Sequence, residues 1–207
     1  AQCLVGSEMC IRDRNMGWKH MLYLDATLRG DQSSTLPTGN NVYIYPSFSG
    51  SFVFSELLKL GNAMPYGKLR MSWAQVGSDT DPYQLGLVYT KSKYAYPGYT
   101  IGYIDNTTIP NKDLKPTKTN SMEFGLELKF LNNRMGLDFT YYSQTSKNQI
   151  MGMANSWTTG YQYRLINAGE IENKGIEIAL NTRPIQIKDF SWDLNLNFSK
   201  NNNKVKR

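Results

Sequence analysis

The chain has 207 residues and a net charge of +6, and it is 40% hydrophobic and 13% aromatic, with 14 tyrosines. Its mean hydropathy is negative, and it contains no apolar run near the roughly 18 residues of a membrane-spanning helix, which excludes a helical membrane protein. The basic residues are spread along the chain, which argues against a nucleic-acid partner. The exception is a basic C-terminal end, and we interpret it as a solvated strand end and tail: Lys200, Lys204, Lys206 and Arg207.

The first 14 residues differ in style from the rest of the chain. They show neither strand alternation nor an amphipathic helix, and Cys3–Arg14 resembles a recurrent translation of sequencing-adapter DNA. We therefore predict that residues 1–14 are a non-native segment to be left out of fold reasoning, and that residues 15–207 form one domain. The alternative is a short native loop or helix. Both cysteines lie in this segment, so they say nothing about the redox compartment.

Three strands are predicted before residue 77, because apolar and polar residues alternate in each and side chains of a strand point to alternate faces. They are Lys19–Arg29, Tyr43–Phe54 and Lys68–Val76. The first connection, Gly30–Asn41, is a polar loop. The second, Ser55–Gly67, includes a short helical turn that we expect to end at Gly61.

The strongest alternation lies in Thr119–Tyr142, which predicts two strands joined by a tight turn. The pair Asn132–Asn133 suits a two-residue hairpin loop, because asparagine tolerates positive φ. The apolar face carries no charge over about 10 residues, whereas the opposite face carries several. This pattern is expected where one side of a sheet meets lipid and the other meets a watery lumen.

Two further strands follow, Ile171–Thr182 and Phe190–Ser199, joined by a turn at Arg183–Asp189 around Pro184. Long polar loops, Gly77–Pro116 and Ser143–Tyr163, flank the central hairpin. The connections thus run long, medium, long, short, long, short, as in outer-membrane barrels with brief periplasmic turns and extended extracellular loops.

The predicted fold class is all-β: a fragment of an antiparallel transmembrane β-barrel with long extracellular loops. The loops near residues 30–43, 77–116 and 143–170 are expected to point outward. Seven strands are too few to close such a barrel, and an open sheet would leave two unpaired edges in lipid. We therefore expect an internal piece of a larger barrel.

Three stretches resemble the C-terminal half of the barrel in SusC/RagA-type TonB-linked outer-membrane proteins. They are LKPTKTNSMEFGLELKFLNNRMGLDFTYY, YRLINAGEIENKGIEIALNTRPI and FSWDLNLNFSKNNNKV. The most specific piece is NAGEIENKGIEI, Asn167–Ile178. The resemblance assigns residues 15–207 to the β-barrel domain of a TonB-dependent receptor.

That resemblance implies a 22-stranded barrel with an N-terminal plug in the outer membrane of a Gram-negative bacterium. It also implies import of oligosaccharides or peptides with a SusD-like surface lipoprotein as lid, energised by the TonB complex through a part not in this sequence. The expected surroundings include outer-membrane lipid. The alternatives are another outer-membrane barrel, namely a siderophore receptor or passive porin, and a soluble carbohydrate-binding β-sandwich.

No catalytic residue, cofactor or metal site is predicted, since His20 is the one histidine and no nucleophile–base set is visible. Three glutamates of one strand are expected to line the lumen or to pair with Lys174 and Arg164: Glu170, Glu172 and Glu177. The stretch Asp79–Tyr83 resembles a calcium loop but lacks the full ligand pattern, so a proline turn is the favoured interpretation.

The tyrosine-rich stretch Tyr83–Tyr103 is the one candidate for a binding role. Aromatic faces offer an apolar platform to sugar rings, and the phenol adds a hydrogen bond. The candidate contacts to ligand or lid are Tyr94, Tyr96, Tyr99 and, in the next long loop, Trp157. The alternative, which the ordinary behaviour of tyrosine favours, is that these rings pack the loops against themselves and the barrel rim.

Overall fold

A computed structural model describes residues 6–58, 61, 64–94, 97–104 and 107–206. In chain order, its elements are β1 (Ser7–Trp18), β2 (Leu22–Ser33), β3 (Val42–Val53), α1 (Phe54–Leu58), β4 (Tyr66–Ser78), β5 (Tyr89–Lys91), β6 (Gly102–Ile104), β7 (Thr108–Ile109), β8 (Thr117–Phe130), β9 (Met135–Lys147), β10 (Ile150–Ala154), a 3-10 turn (Trp157–Thr159), β11 (Tyr163–Asn167), β12 (Glu170–Ile187) and β13 (Phe190–Lys206). No helix in the described part of the chain is long and apolar enough to cross a membrane.

The long strands form one antiparallel sheet of eight, in the order β1-β2-β3-β4-β8-β9-β12-β13. Each strand pairs with the long strand that precedes it along the chain, as in an up-and-down meander. All seven predicted strands are present. The sheet is a single layer, so the soluble β-sandwich, which needs two packed sheets, was the wrong alternative.

The eighth strand, β1, comes largely from the segment predicted to lack strand structure, and that prediction was wrong. Residues Ser7–Trp18 pair with Ser33–Leu22 without interruption. Arg14 and Arg12 lie opposite Ala26 and Leu28, so they interrupt an otherwise apolar face with two charges. Backbone pairing along β2 holds this strand, and its side chains are exposed throughout. The origin of residues 1–14 stays a prediction.

The turn of the central hairpin has four residues and not two, because Phe130 pairs with Met135. Leu131, Asn132 and Asn133 all have positive φ, of 51°, 54° and 65°. The Arg134 N–H closes the loop by donating to the Leu131 carbonyl at 3.1 Å. The asparagines do adopt the predicted conformation, but a leucine shares it.

Strand β12 continues through the turn predicted around Pro184, and the chain reverses only at residues 188–189. The pairing with β13 shifts between Thr182 and Ile185, which marks a β-bulge at the proline. A proline cannot donate to the ladder, and a bulge is one of the few places in a sheet that accepts it. A short helix, α1, covers Phe54–Leu58 of the predicted helical turn, and Gly61, where we expect the turn to end, has a φ of 64°. Lys59, Leu60 and Asn62 of that prediction lie outside the described residues.

The two faces of the sheet differ as the alternation predicted. We define the outward face as the one that carries Phe124, Leu126 and Phe139, and the lumen face as the one that carries Glu123 and Asp138. Large apolar side chains of the outward face are exposed, for example Leu24, Phe48, Met71 and Phe198. An uncovered apolar face this extensive needs lipid as its solvent.

Candidate functional site in the outer loops and on the lumen face

The long loops, residues 34–41, 79–116 and 148–169, all lie at one end of the main sheet, which we call the outer end. The opposite end has the short connections at residues 19–21, 131–134 and 188–189, together with the segment that contains α1. This confirms the predicted alternation of long and short connections. The loops therefore stand together over one rim of the barrel wall.

The three loops share a hydrophobic core. Its buried members are Leu36, Tyr43, Tyr45 and Leu114, and Leu114 is 0% exposed. Leu85, Ile150 and Leu165 pack against it, so each long loop contributes at least one apolar side chain. The three loops therefore pack together into one unit, which we call the loop unit.

Asp79 fastens the first loop to the second. Its Oδ2 accepts hydrogen bonds from the hydroxyls of Ser33 and Thr35, the latter at 3.3 Å. Ser33 is fully buried and its Oγ lies 2.9 Å from the Thr35 Oγ1. The carboxylate that resembled the start of a calcium loop is therefore engaged in a structural network.

Asn167 fastens the second loop to the third. Its Oδ1 accepts from the Lys115 N–H at 2.8 Å, and its Nδ2 donates to the carbonyls of Lys115 at 2.7 Å and Asn148 at 2.9 Å. The side-chain amide thereby pairs with Lys115 much as the backbone of a neighbouring strand would. A second bridge runs close by, from Asn111 Nδ2 to the Leu165 carbonyl at 3.2 Å.

The motif that begins with Asn167 also contains two glycines with structural roles. Gly169 has a φ of 81°, which a glycine adopts without strain at the entry to β12. At Gly175, a Cβ would lie 2.5 Å from the hydroxyl oxygen of Tyr142 and 2.7 Å from the Lys200 carbonyl oxygen. The phenol of Tyr142 therefore lies across β12 at a position where only glycine leaves room.

The glutamates of β12 do not all line the lumen, and that part of the prediction was wrong. Glu177 does face the lumen, but Glu170 and Glu172 share the outward face with Ile176. Glu172 pairs with Lys174, as predicted, at 2.5 Å, and also with Lys206. Glu170 pairs with Lys147 and not with Arg164.

The candidate tyrosines lie around a small hairpin of the second loop, in which β5 and β6 pair. Tyr94 and Tyr99 are 85% and 73% exposed, and Tyr89 on β5 is 79% exposed. These rings are exposed within this segment. Their contact with ligand or lid stays a prediction, as does the alternative that they pack against the barrel rim. Tyr96 lies outside the described residues.

Trp157 lies in the third loop, at the start of the 3-10 turn between β10 and β11, and is 73% exposed. Ser156 caps this turn, and Gly160 ends it with a φ of 82°. Strand β11 pairs in parallel with β7, so backbone hydrogen bonds also join the third loop to the second. The turn therefore holds an exposed indole on a loop that is itself anchored.

The lumen face of the wall carries an ion pair that crosses a strand. Arg70 on β4 reaches over Gly125 on β8 to Asp138 on β9, with Nη2 2.8 Å from Oδ1. A Cβ at Gly125 would lie 2.8 Å from the Arg70 Nε. Shallow polar depressions of about 270 and 440 Å³ flank this bridge. They expose hydroxyl, amide and carboxylate groups of the wall, including Ser49, Glu123, Thr140, Glu177 and Asn197.

These features together define a class of protein. A single-layer meander with an exposed apolar face, a polar opposite face and long loops at one end is the wall of a membrane β-barrel. The lumen face offers hydrogen-bonding groups to a polar solute, and the outer loops offer aromatic ones.

Comparison with known proteins narrows the class to a family. Residues 14–206 match the family described as TonB dependent receptor-like, beta-barrel. TonB-dependent receptor P26 of Formosa agariphila is 30% identical over 199 residues, 92% of this chain and 20% of the relative. TonB-dependent receptor SusC of Bacteroides thetaiotaomicron is 30% identical over 187 residues, 86% of this chain and 19% of the relative. The chain therefore belongs to the TonB-dependent receptor family and to the outer membrane of Gram-negative bacteria.

Solved structures agree on the fold. The RagAB peptide transporter superposes with a TM-score of 0.85 at 24% identity, over 96% of this chain and 22% of that one. The siderophore receptor PirA from Pseudomonas aeruginosa gives 0.61 at 18% identity, over 94% of this chain and 32% of that one. The chain spans about a fifth of the length of the curated relatives it matches.

Proposed function

We propose that the chain supplies part of the barrel wall and the outer loops of a TonB-dependent transporter that imports oligosaccharides or peptides. In this proposal a SusD-like surface lipoprotein covers the outer loops, and the TonB complex acts through a part of the protein that precedes this segment. In this proposal the segment shapes the passage and contacts cargo or lid.

The observation that carries the proposal is the exposure of aromatic side chains on two of the long loops at the outer end. Tyr89, Tyr94 and Tyr99 lie around the β5–β6 hairpin, where their rings offer an apolar platform with hydroxyl groups at its edge. The third loop, which carries Trp157, is held by the shared core and the Asn167 bridge, so it has less conformational freedom to lose on binding.

The relatives support this class of cargo. RagAB is a peptide transporter, and SusC is a TonB-dependent receptor at 30% identity. The second candidate cargo is an iron siderophore, which the PirA receptors indicate. Their lower TM-scores, 0.61 and 0.60 against 0.85, make this wall a closer geometric match to the peptide transporter.

The test uses the complete receptor that carries this segment, expressed with its neighbouring lipoprotein. We would replace Tyr94 and Tyr99 by serine together, and Trp157 by alanine separately. An aromatic contact contributes about 0.5–1.5 kcal/mol beyond its buried area, so the double variant should weaken lid or cargo binding by about tenfold or more.

The matched control is Tyr66→Ser, since Tyr66 lies at the inner end of β4 and contacts Lys129. Heat-dependent gel mobility would confirm that each variant forms a folded barrel. Lipoprotein co-purification and binding of oligosaccharide and peptide pools would be measured in parallel. Unchanged binding of lid and of both pools in the folded double variant would refute the role of the hairpin.

A further inference from the structure

Charges change faces along the last four long strands. In the middle of these strands the lumen face carries them, as at Glu123, Glu127, Asp138 and Glu177. At the outer ends the outward face carries them instead. We call this set the outer lysine patch: Lys118, Lys147, Glu170, Glu172, Lys174, Lys200, Lys204 and Lys206.

Beyond the row that pairs Glu123 with Tyr142, the lumen face of these strands carries no charged residue, and all the positions concerned are among the described ones. Its residues there are Thr117, Thr119, Ser121, Gln144, Ser146, Ile171, Asn173, Asn203 and Val205. If the lysines only solvated strand ends in water, both faces would serve equally well. Their restriction to one face points to something that lies against that face.

The patch begins where the apolar outward face ends. Lys174 lies two residues before Ile176 on the same face of β12, and Lys200 lies two residues after Phe198 on the same face of β13. Lys200 also pairs directly with Ile176. A membrane-facing strand passes from hydrocarbon into the layer of lipid head groups at such a boundary. The patch therefore stands at head-group level, on the side of the wall that meets lipid.

The patch contains six lysines and two glutamates, so its net charge is positive. Glu172, four residues outside the apolar run, is held by Lys174 at 2.5 Å and Lys206 at 2.9 Å. The Glu172 carboxylate is therefore shared between these two ammonium groups. Lys147 pairs with Glu170 at 3.3 Å.

Three lysines of the patch have no acidic partner. Within the described part of the chain, no carboxylate lies within 4 Å of the ammonium groups of Lys118, Lys200 or Lys204. Lys118 also lies directly opposite Lys147 in the β8–β9 pairing, and like charges at directly opposed positions are destabilising. The unpaired charges face the same layer as the paired ones.

We propose that the outer lysine patch binds the phosphate groups of an anionic lipid of the outer leaflet, while the acyl chains of that lipid lie against Ile176 and Phe198. Lysine suits this task as a flexible, strongly charged donor to phosphate oxygens. Free phosphate has the same charge chemistry but no apolar part to use the adjoining face. The inference depends on the membrane placement of the wall and not on the cargo proposed above.

The experiment measures how much lipid A the complete receptor retains after transfer from mixed vesicles of phosphatidylcholine and lipid A into detergent. The variant replaces Lys118, Lys200 and Lys204 by glutamine. The control variant replaces Lys68, Lys112 and Lys115 by glutamine. It removes the same number of charges, but from the lumen face and from a loop. We expect at least a tenfold loss of retained lipid A in the patch variant and little change in the control.

Two further arms use the wild-type receptor and so do not depend on the variant folding. Lipid A without phosphates should be retained at least tenfold less, and inorganic phosphate at equal concentration should not displace the intact lipid. Equal retention of the dephosphorylated lipid, unchanged retention in the patch variant, equal loss in the control, or displacement by free phosphate would each overturn the proposal.

Discussion

The Asn167 bridge yields the sharpest prediction about the outer loops. Replacing Asn167 by alanine removes three hydrogen bonds, two to Lys115 and one to Asn148, without touching the main sheet. Asn148 lies in the same loop as Asn167, so only the two bonds to Lys115 join the second loop to the third. Net contributions of about 0.5–1.5 kcal/mol per hydrogen bond, taken near the lower end because the bonds are exposed, sum to about 1.4 kcal/mol for these two. The second and third loops should therefore separate about tenfold more often.

Hydrogen exchange read by mass spectrometry would measure this opening in the complete receptor, in peptides that cover residues 107–118 and 148–169. Exchange should accelerate there and stay unchanged in β8 and β9, which the ladder of the main sheet protects. The matched control is Asn155→Ala, since Asn155 bonds to Thr159 within its own loop. Equal exchange in the Asn167 and Asn155 variants would refute the view that Asn167 couples the two loops.

Two other substitutions test the packing. Leu114→Ala should cost about 2–5 kcal/mol in the loop unit, because Leu114 is fully buried among three loops, and faster proteolysis of the loops with an unchanged barrel would be the readout. Unaltered proteolysis would argue against a shared core. Gly175→Ala should destabilise the barrel more than Gly125→Ala in urea unfolding, since the new Cβ would meet the Lys200 backbone carbonyl in the first case and the movable Arg70 side chain in the second. The reverse order, or a Gly125→Ala cost that persists beside Arg70→Ala, would contradict this account.

The sequence predicted the strands because their signal is local. The alternation along Met122–Phe130 or Phe190–Phe198 can be recognised without knowing which strand pairs with it. A strand face without charged residues already indicates contact with lipid. The alternating loop lengths predicted the two ends of the wall for the same reason. The resemblance then supplied the family, which the comparison confirmed.

The misjudged boundaries share one cause. The outer halves of β12 and β13 are polar, so hydrophobic alternation stops at Ile176 and Phe198 while backbone pairing continues to Glu170 and Lys206. Backbone hydrogen bonds to a neighbouring strand extend a strand over residues without apolar alternation, such as Asn201–Lys204 and Ser7–Arg14, and past a proline at a bulge. The alternation of side chains predicts only the part of a strand whose face is buried or exposed to lipid.

By itself, then, the sequence determined which residues form strands, which face of each is apolar and which connections are long, because alternation and length are properties of consecutive residues. Only the tertiary structure showed that Asn167 joins two loops. It also showed that Gly125 and Gly175 leave room for Arg70 and Tyr142, and that the lysines of four strands lie together on one face. Those relations join residues far apart in the chain, and register alone brings them together.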